Sequence, residues 1–204
     1  MKKLPVLLAF ASLFLFAPLA LAQDNLLTNT AFESPNAQNV PKGWQLVKNV
    51  KEGAESGEVT LAIVQVPPPP DSPAAKSENP PATVPALAYS IDEALNWAYI
   101  AQRSAETQIP AGKKYRFTAW IKSDKPAKVC VILSFLGKAP EGGGKLPEQT
   151  RWNNQELSSD WKLYSTDLTA NDAGPYLFFW PRVQLYTPGA TVTMTFPMLE
   201  VVEE

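Results

Sequence analysis

The chain has 204 residues, a formal net charge of −2 and no histidine. Without histidine there is no Ser-His-Asp or Cys-His nucleophile system, no His-ligated zinc or copper, and no imidazole general base. A mildly acidic chain is also a poor partner for nucleic acid or for a strongly anionic polymer.

The N-terminus reads as a secretory leader. Lys2 and Lys3 precede an apolar run over 4–21, and Ala20-Leu21-Ala22 matches the small-x-small cleavage pattern. A membrane anchor left uncleaved is the competing reading; the run is barely long enough to span a bilayer. Cleavage after residue 22 leaves residues 23–204, carrying a charge of −4, as one domain in the periplasm or outside the cell. No later segment is apolar enough for membrane insertion of the mature chain. Cys130, the only cysteine, lies in the apolar run 129–133, so it reads as a small buried hydrophobe and no intramolecular disulfide forms.

Along the mature chain, short runs rich in Val, Ile, Tyr, Phe, Trp and Thr alternate with Gly, Pro, Asn and Asp. They predict strands over 25–28, 44–50, 58–66, 86–91, 96–104, 114–123, 127–136, 161–168, 176–186 and 190–201. No long segment has helical periodicity, although 92–97 (DEALNW) is compatible with one helical turn. The fold class that follows is all-β: an antiparallel sandwich or barrel. Alternation assigns Tyr115, Phe117, Ala119 and Ile121 to one face of their strand, and Arg116, Thr118, Trp120 and Lys122 to the other. Val129, Val131, Leu133 and Phe135 share a face, as do Val192, Met194 and Phe196. Residues 67–85 (PPPPDSPAAKSENPPATVP) read as an exposed proline-rich loop. Residues 137–149, with Gly142-Gly143-Gly144, read as a flexible connection. The Ala139 to Lys145 stretch within it lacks the Ser or Thr of a phosphate-binding loop.

The run 176–186, YLFFWPRVQLY, has the most unusual alternation. Leu177, Phe179, Pro181, Val183 and Leu185 make an ordinary core face. Tyr176, Phe178, Trp180, Arg182, Gln184 and Tyr186 combine rings with a guanidinium and an amide. Rings stack on the C–H faces of sugars while Arg and Gln bond vicinal hydroxyls, so Trp180, Arg182, Gln184 and Tyr186 are candidate glycan-binding residues. Pro181 is expected at an edge or a bulge, and a bulge there flips the faces beyond it. Trp97, Tyr99 and Arg103 share parity; they either join this cleft or belong to the core. Trp120 is either a platform ring or covered by a loop. Trp44 and Trp161 read as core or rim, Tyr164 and Phe32 as core, and Trp152 as a loop aromatic at a cleft edge. The adjacent acids Asp92-Glu93 and Glu203-Glu204 do not provide the opposed carboxylates of a glycosidase. The chain is therefore not expected to be an enzyme.

The opening NLLTNTAFE (25–33), followed by Gly43-Trp44, resembles the start of the CenC-type carbohydrate-binding modules of families 4, 9 and 22. IPAGKKYRFTAWIKS (109–123), the SDWK at 159–162 and the closing strands over 183–201 are similar to later motifs of that family, in the same order. The resemblance implies a galactose-binding-domain-like jelly roll of two sheets that binds a polysaccharide or other glycan over one of them. It also implies a structural calcium, for which Glu33 matches the first position. Pro197 and Met198 stand where the family has carboxylates, which puts that calcium in doubt. A structural or adhesion domain contacting an envelope protein is the alternative on the same fold, and a polysaccharide lyase or hydrolase is a third.

Overall fold

A computed structural model describes residues 25–138 and 147–203. The leader expected at 1–22 and the glycines at 142–144 lie outside the described residues. None of the described residues is helical; of 92–97, residues 92–94 form a turn and 95–97 already belong to a strand. Ten strands follow in chain order: β1 (Trp44–Val50), β2 (Val59–Val66), β3 (Val84–Ile91), β4 (Leu95–Gln102), β5 (Lys114–Ser123), β6 (Ala127–Leu136), β7 (Glu148–Leu157), β8 (Lys162–Thr169), β9 (Phe178–Leu185) and β10 (Thr191–Val202). They form two antiparallel five-stranded sheets, one ordered β1-β4-β9-β6-β7 and the other β2-β3-β10-β5-β8. The expected two-sheet β-sandwich is therefore the observed fold.

The predicted strand at 25–28 is instead part of an irregular segment that closes one end of the core. Leu27, Phe32, Val40 and Trp44 are buried there, and the Phe32 and Trp44 rings meet at 5.4 Å. Asn29 holds the segment together: its side chain accepts from the Glu33 amide and donates to the carbonyls of Glu33 and Lys42. Gly43, at φ +84°, makes the turn that delivers Trp44, a backbone state that costs glycine little. The opening motif is thus structural.

The core is built by the expected alternation. Ala98 and Ile100 of β4, Tyr115 to Ile121 in odd positions of β5, Val129 to Phe135 in odd positions of β6, and Phe179, Val183 and Leu185 of β9 all point inward. Two hydrogen bonds cross between the sheets inside this core. The Tyr89 hydroxyl donates to the Val183 carbonyl at 2.8 Å, and the Thr166 hydroxyl donates to the Val131 carbonyl at 2.8 Å. Burial pushes the Tyr89 phenol far above its ordinary range, so it remains a donor at any pH the fold survives. Tyr89→Phe is expected to cost about 1 kcal/mol in urea denaturation, the net value of one such bond; no change would mean that the bond is replaced without loss.

Three expectations about alternation need correction. First, Pro181 causes neither an edge nor a bulge. β9 lies inside its sheet, and its register with β6 is continuous from Phe178 to Leu185. The paired register of β4 with β9 ends at Ala101 opposite Arg182, so Pro181 lies just beyond the last paired residue on that side. Second, the break lies earlier. Tyr176 is buried in the core instead of sharing a face with Phe178, and it makes an isolated bridge to Ile109 before β9 begins. Third, β10 changes face between Thr195 and Met198, where its register with β5 shifts. Val192 and Met194 are core before the shift and Leu199 after it, while Phe196, at φ +48°, leaves the core face.

The proline-rich segment is not simply exposed: Pro69 and Ser72 are buried, and Asp71 and Pro73 border a cleft on the second sheet. Near that cleft, Asp167 accepts from Nε and Nη2 of Arg116, both at 2.7 Å, and Lys114 lies 3.1 Å away. The Arg116 bonds, with Lys114, hold the Asp167 carboxyl at about 2. A depressed carboxyl stabilises the fold above its unfolded pKa, near 4, and that contribution is lost as pH falls toward 2. Asp167→Asn is therefore expected to cost about 1 kcal/mol at pH 7, after allowance for solvent screening, and a small fraction of that at pH 2, where the folded carboxyl is itself about half protonated. Urea titrations at the two pH values check this; an equal cost at both would remove the electrostatic explanation.

Candidate functional site

The strands of the first sheet turn one residue in two outward, and register lines these residues up. Ala101, Arg182, Ile132 and Trp152 form one row across β4, β9, β6 and β7. Tyr99, Gln184, Cys130 and Asn154 form the next row, and Trp180, Ser134 and Thr150 form a third. On β4, β6 and β9 their neighbours Ala98, Ile100, Val129, Val131, Leu133, Phe179, Val183 and Leu185 point into the core.

On this face the rings form a connected set. Trp97 stacks on Tyr99 at 5.6 Å with 12° between the planes, and Tyr99 meets Trp180 edge-on at 5.9 Å. The Arg182 guanidinium carbon lies 4.3 Å from the Trp180 ring centroid, 5.5 Å from Tyr99 and 5.6 Å from Trp152, within cation–π range of all three. Arg182 Nη2 donates to Ser134 Oγ at 2.6 Å. Ser134 and Thr150 share a hydrogen bond of 2.7 Å, and Thr150 donates to Glu148 at 2.7 Å. Arg182, Gln184 and Tyr99 are buried under this cover; Trp97, Trp180 and Tyr186 are half-buried, and Trp152 is 52% exposed. At one end, exposed Arg103 covers the Phe178 ring at 3.8 Å. At the other, Tyr186 borders a cleft of about 580 Å³ with Lys128, Asn154 and Glu156. Burial raises the Tyr186 phenol, which keeps its hydroxyl protonated and able to donate. Burial likewise raises the Cys130 thiol, which therefore behaves as an inert hydrophobe.

Trp97, Tyr99, Arg103, Trp180, Arg182, Gln184 and Tyr186 are thus brought onto one sheet, and the open choice for Trp97 and Tyr99 resolves to the outer face. Trp120 is not with them. β5 belongs to the second sheet, so Trp120 faces outward on the opposite side of the sandwich. There it lines a cleft of about 520 Å³ with Leu163, Phe196, Met198, Pro73 and Arg116. Trp161 is half-buried beneath Lys122, whose ammonium lies 4.9 Å from the ring, and Trp44 and Tyr164 are core. Trp152 stands on β7 and not on a loop; Ser134, Thr150 and Glu148, which brace Arg182, had no distinguishing signal in the sequence.

The surroundings of Glu33 do not fit calcium. Its side chain is exposed, and among the described residues no three His, Cys, Asp or Glu side chains gather to hold a metal. Near Pro197 and Met198, Asn25 fills the space, donating to the Pro197 carbonyl and accepting from the Leu199 amide. Asp92 is likewise occupied, accepting from the amides of Glu58 and Ala94 at a turn.

No family model and no curated protein matches the sequence. Solved structures do match the fold. A CBM4 carbohydrate-binding module superposes with a TM-score of 0.52 at 14% identity, over 86% of this chain and 99% of the other. The fold is that of the carbohydrate-binding jelly rolls. TmCBM61, solved in complex with beta-1,4-galactotriose, matches with a TM-score of 0.50 at 16% identity, over 88% of this chain and 99% of the module. The enzymatically active domain of tailspike protein 4 from bacteriophage CBA120 matches with a TM-score of 0.59 at 12% identity. This chain spans about a fifth of that protein's length, 21%, so the likeness concerns one part of it.

Proposed function

We propose that the protein is a non-catalytic glycan-binding module, exported by its leader, that holds polysaccharide on the outer face of the sheet β1-β4-β9-β6-β7. The observation that carries this reading is the connected set Trp97, Tyr99, Trp180, Arg182 and Trp152. It combines apolar ring faces for sugar C–H surfaces with guanidinium, amide and phenol groups for hydroxyls. The jelly roll shared with carbohydrate-binding modules supports it, as does the absence of histidine. Affinity electrophoresis of the mature chain through β-1,4-galactan, xylan and mixed-linkage β-glucan tests it. Retardation in at least one gel is expected, and unimpeded migration in all three would retire the reading. N-terminal sequencing of exported protein should begin at Gln23.

A protein-contact role has one observation in its favour. Leu163, 54% exposed, adjoins Trp120 and Met198 on the opposite sheet, an apolar patch suited to an envelope partner. Sedimentation that detects self-association abolished by Leu163→Glu, with no response to sugar, would favour it.

A further inference from the structure

Two arginines, one on each sheet, are satisfied in opposite ways. Arg116, 39% exposed at its side chain, places both Nε and Nη2 on the Asp167 carboxylate at 2.7 Å. Arg182 is only 6% exposed, yet its Nε has no hydrogen-bond partner among the described residues. Its Nη2 has a neutral hydroxyl, Ser134 Oγ, and its nearest ion-pair oxygen is Glu148 Oε1 at 4.0 Å. The indole Nε1–H of Trp180, the ring beneath the guanidinium, is also buried without a partner. A buried cation short of acceptors is costly, and buried donors as a rule find partners. The more buried arginine is therefore the less completed one, and the donors left over sit together in the middle of the candidate glycan face.

We propose that, against the expectation from the chain's mildly acidic net charge, these local donors make the face select glycans that carry carboxylates, the uronic-acid polysaccharides, and that the sugar carboxylate is taken by Arg182 Nε–H and Trp180 Nε1–H. The inference rests on the glycan-binding reading above. A planar carboxylate matches the side-on edge of a guanidinium, as Asp167 already does on Arg116. Two features make room for it. Trp152, which walls the guanidinium on one side, is 52% exposed and stands on an edge strand, so its ring is the part of the cage free to swing outward. Glu148 is held by Thr150 and is 42% exposed, so its long contact yields readily to a better-placed acid. The bound sugar ring then lies against Trp97, Tyr99 or Trp152, and its carboxylate replaces the missing acceptor.

The test uses the mature chain in affinity electrophoresis through polygalacturonate and alginate, each as the free acid and as its methyl ester, with β-1,4-galactan alongside. The free acids are expected to bind about ten-fold more tightly than the esters, since a charge-assisted bond is lost on esterification. Arg182→Gln should erase that preference. Glu148→Gln removes the carboxylate nearest Arg182 and should widen the acid-over-ester preference several-fold; a preference that shrinks would count against the inference. Equal binding of acid and ester overturns the inference while leaving the glycan reading intact. Migration unaffected by all five polymers overturns both.

Discussion

Phe135→Ala is expected to lower the unfolding free energy by about 3–5 kcal/mol, the range for removing a buried aromatic ring. Phe135 is fully buried on β6 and is the hub of an aromatic cluster. It meets Tyr115 at 5.5 Å, Phe179 at 5.7 Å and Tyr176 at 5.9 Å, contacts that tie β5 of one sheet to β6 and β9 of the other. The alanine leaves a cavity that three rigid rings cannot fill without leaving their rotamers. For a domain of this size the loss corresponds to a fall in Tm of roughly 10 °C. Trp152→Ala, which removes an exposed ring from an edge strand, should change Tm little by comparison. Thermal melts of both variants decide the matter; similar shifts for the two would mean that the core is not centred where the rings place it.

Trp180→Ala should weaken glycan binding by about 2 kcal/mol, roughly 30-fold in Kd, as expected for a central aromatic anchor. The ring supports Arg182 and contacts Tyr99, so its loss removes both a stacking surface and the support of the guanidinium. Trp120→Ala is the matched control. It removes the same half-buried side chain from the opposite sheet and should leave affinity unchanged. Isothermal titration with the glycan that binds in gels distinguishes the two, and near-UV circular dichroism confirms that both variants retain their packing. Equal losses would mean that binding does not reside on one face; a loss in Trp120→Ala alone would move the site to the second sheet.

Inward and outward positions were legible in the sequence wherever one face of a strand was apolar. Trp180, Arg182 and Gln184 of β9 are examples, since their neighbours Phe179, Val183 and Leu185 form the core, whereas parity alone left Trp97 and Tyr99 open between the cleft and the core. Parity does not say which sheet a strand joins. Trp120 was correctly outward, yet outward from β5 means the opposite side of the molecule from β9. β7 was invisible for a different reason. It reads EQTRWNNQEL, with polar residues on both faces, because it is an edge strand at the open side of the sandwich. Its inward positions face the other sheet's edge and not the core, so they carry amides where a central strand carries Val or Leu. The shift in β10 is marked in TMTFPML only by Pro197, while Phe196 fits the apolar period and is turned outward by its own backbone. The bracing of Arg182 by Ser134 and Thr150 depends on strand register, which a single sequence does not display.

Those edge amides have a consequence for solubility. Asn153 donates to the Ser165 carbonyl and Gln149 to the Thr169 carbonyl, both at 2.7 Å, while Gln149 also accepts from the Asn171 amide. The two carbonyls belong to β8, the edge strand of the opposing sheet, and the Asn171 amide lies just past its end; side chains from β7 occupy all three from across the sandwich. A strand from another molecule arriving along β8 finds those carbonyls already engaged and polar side chains in its path. The seam that hid β7 from a search for apolar patterns thus guards this flank against growth into edge-to-edge aggregates.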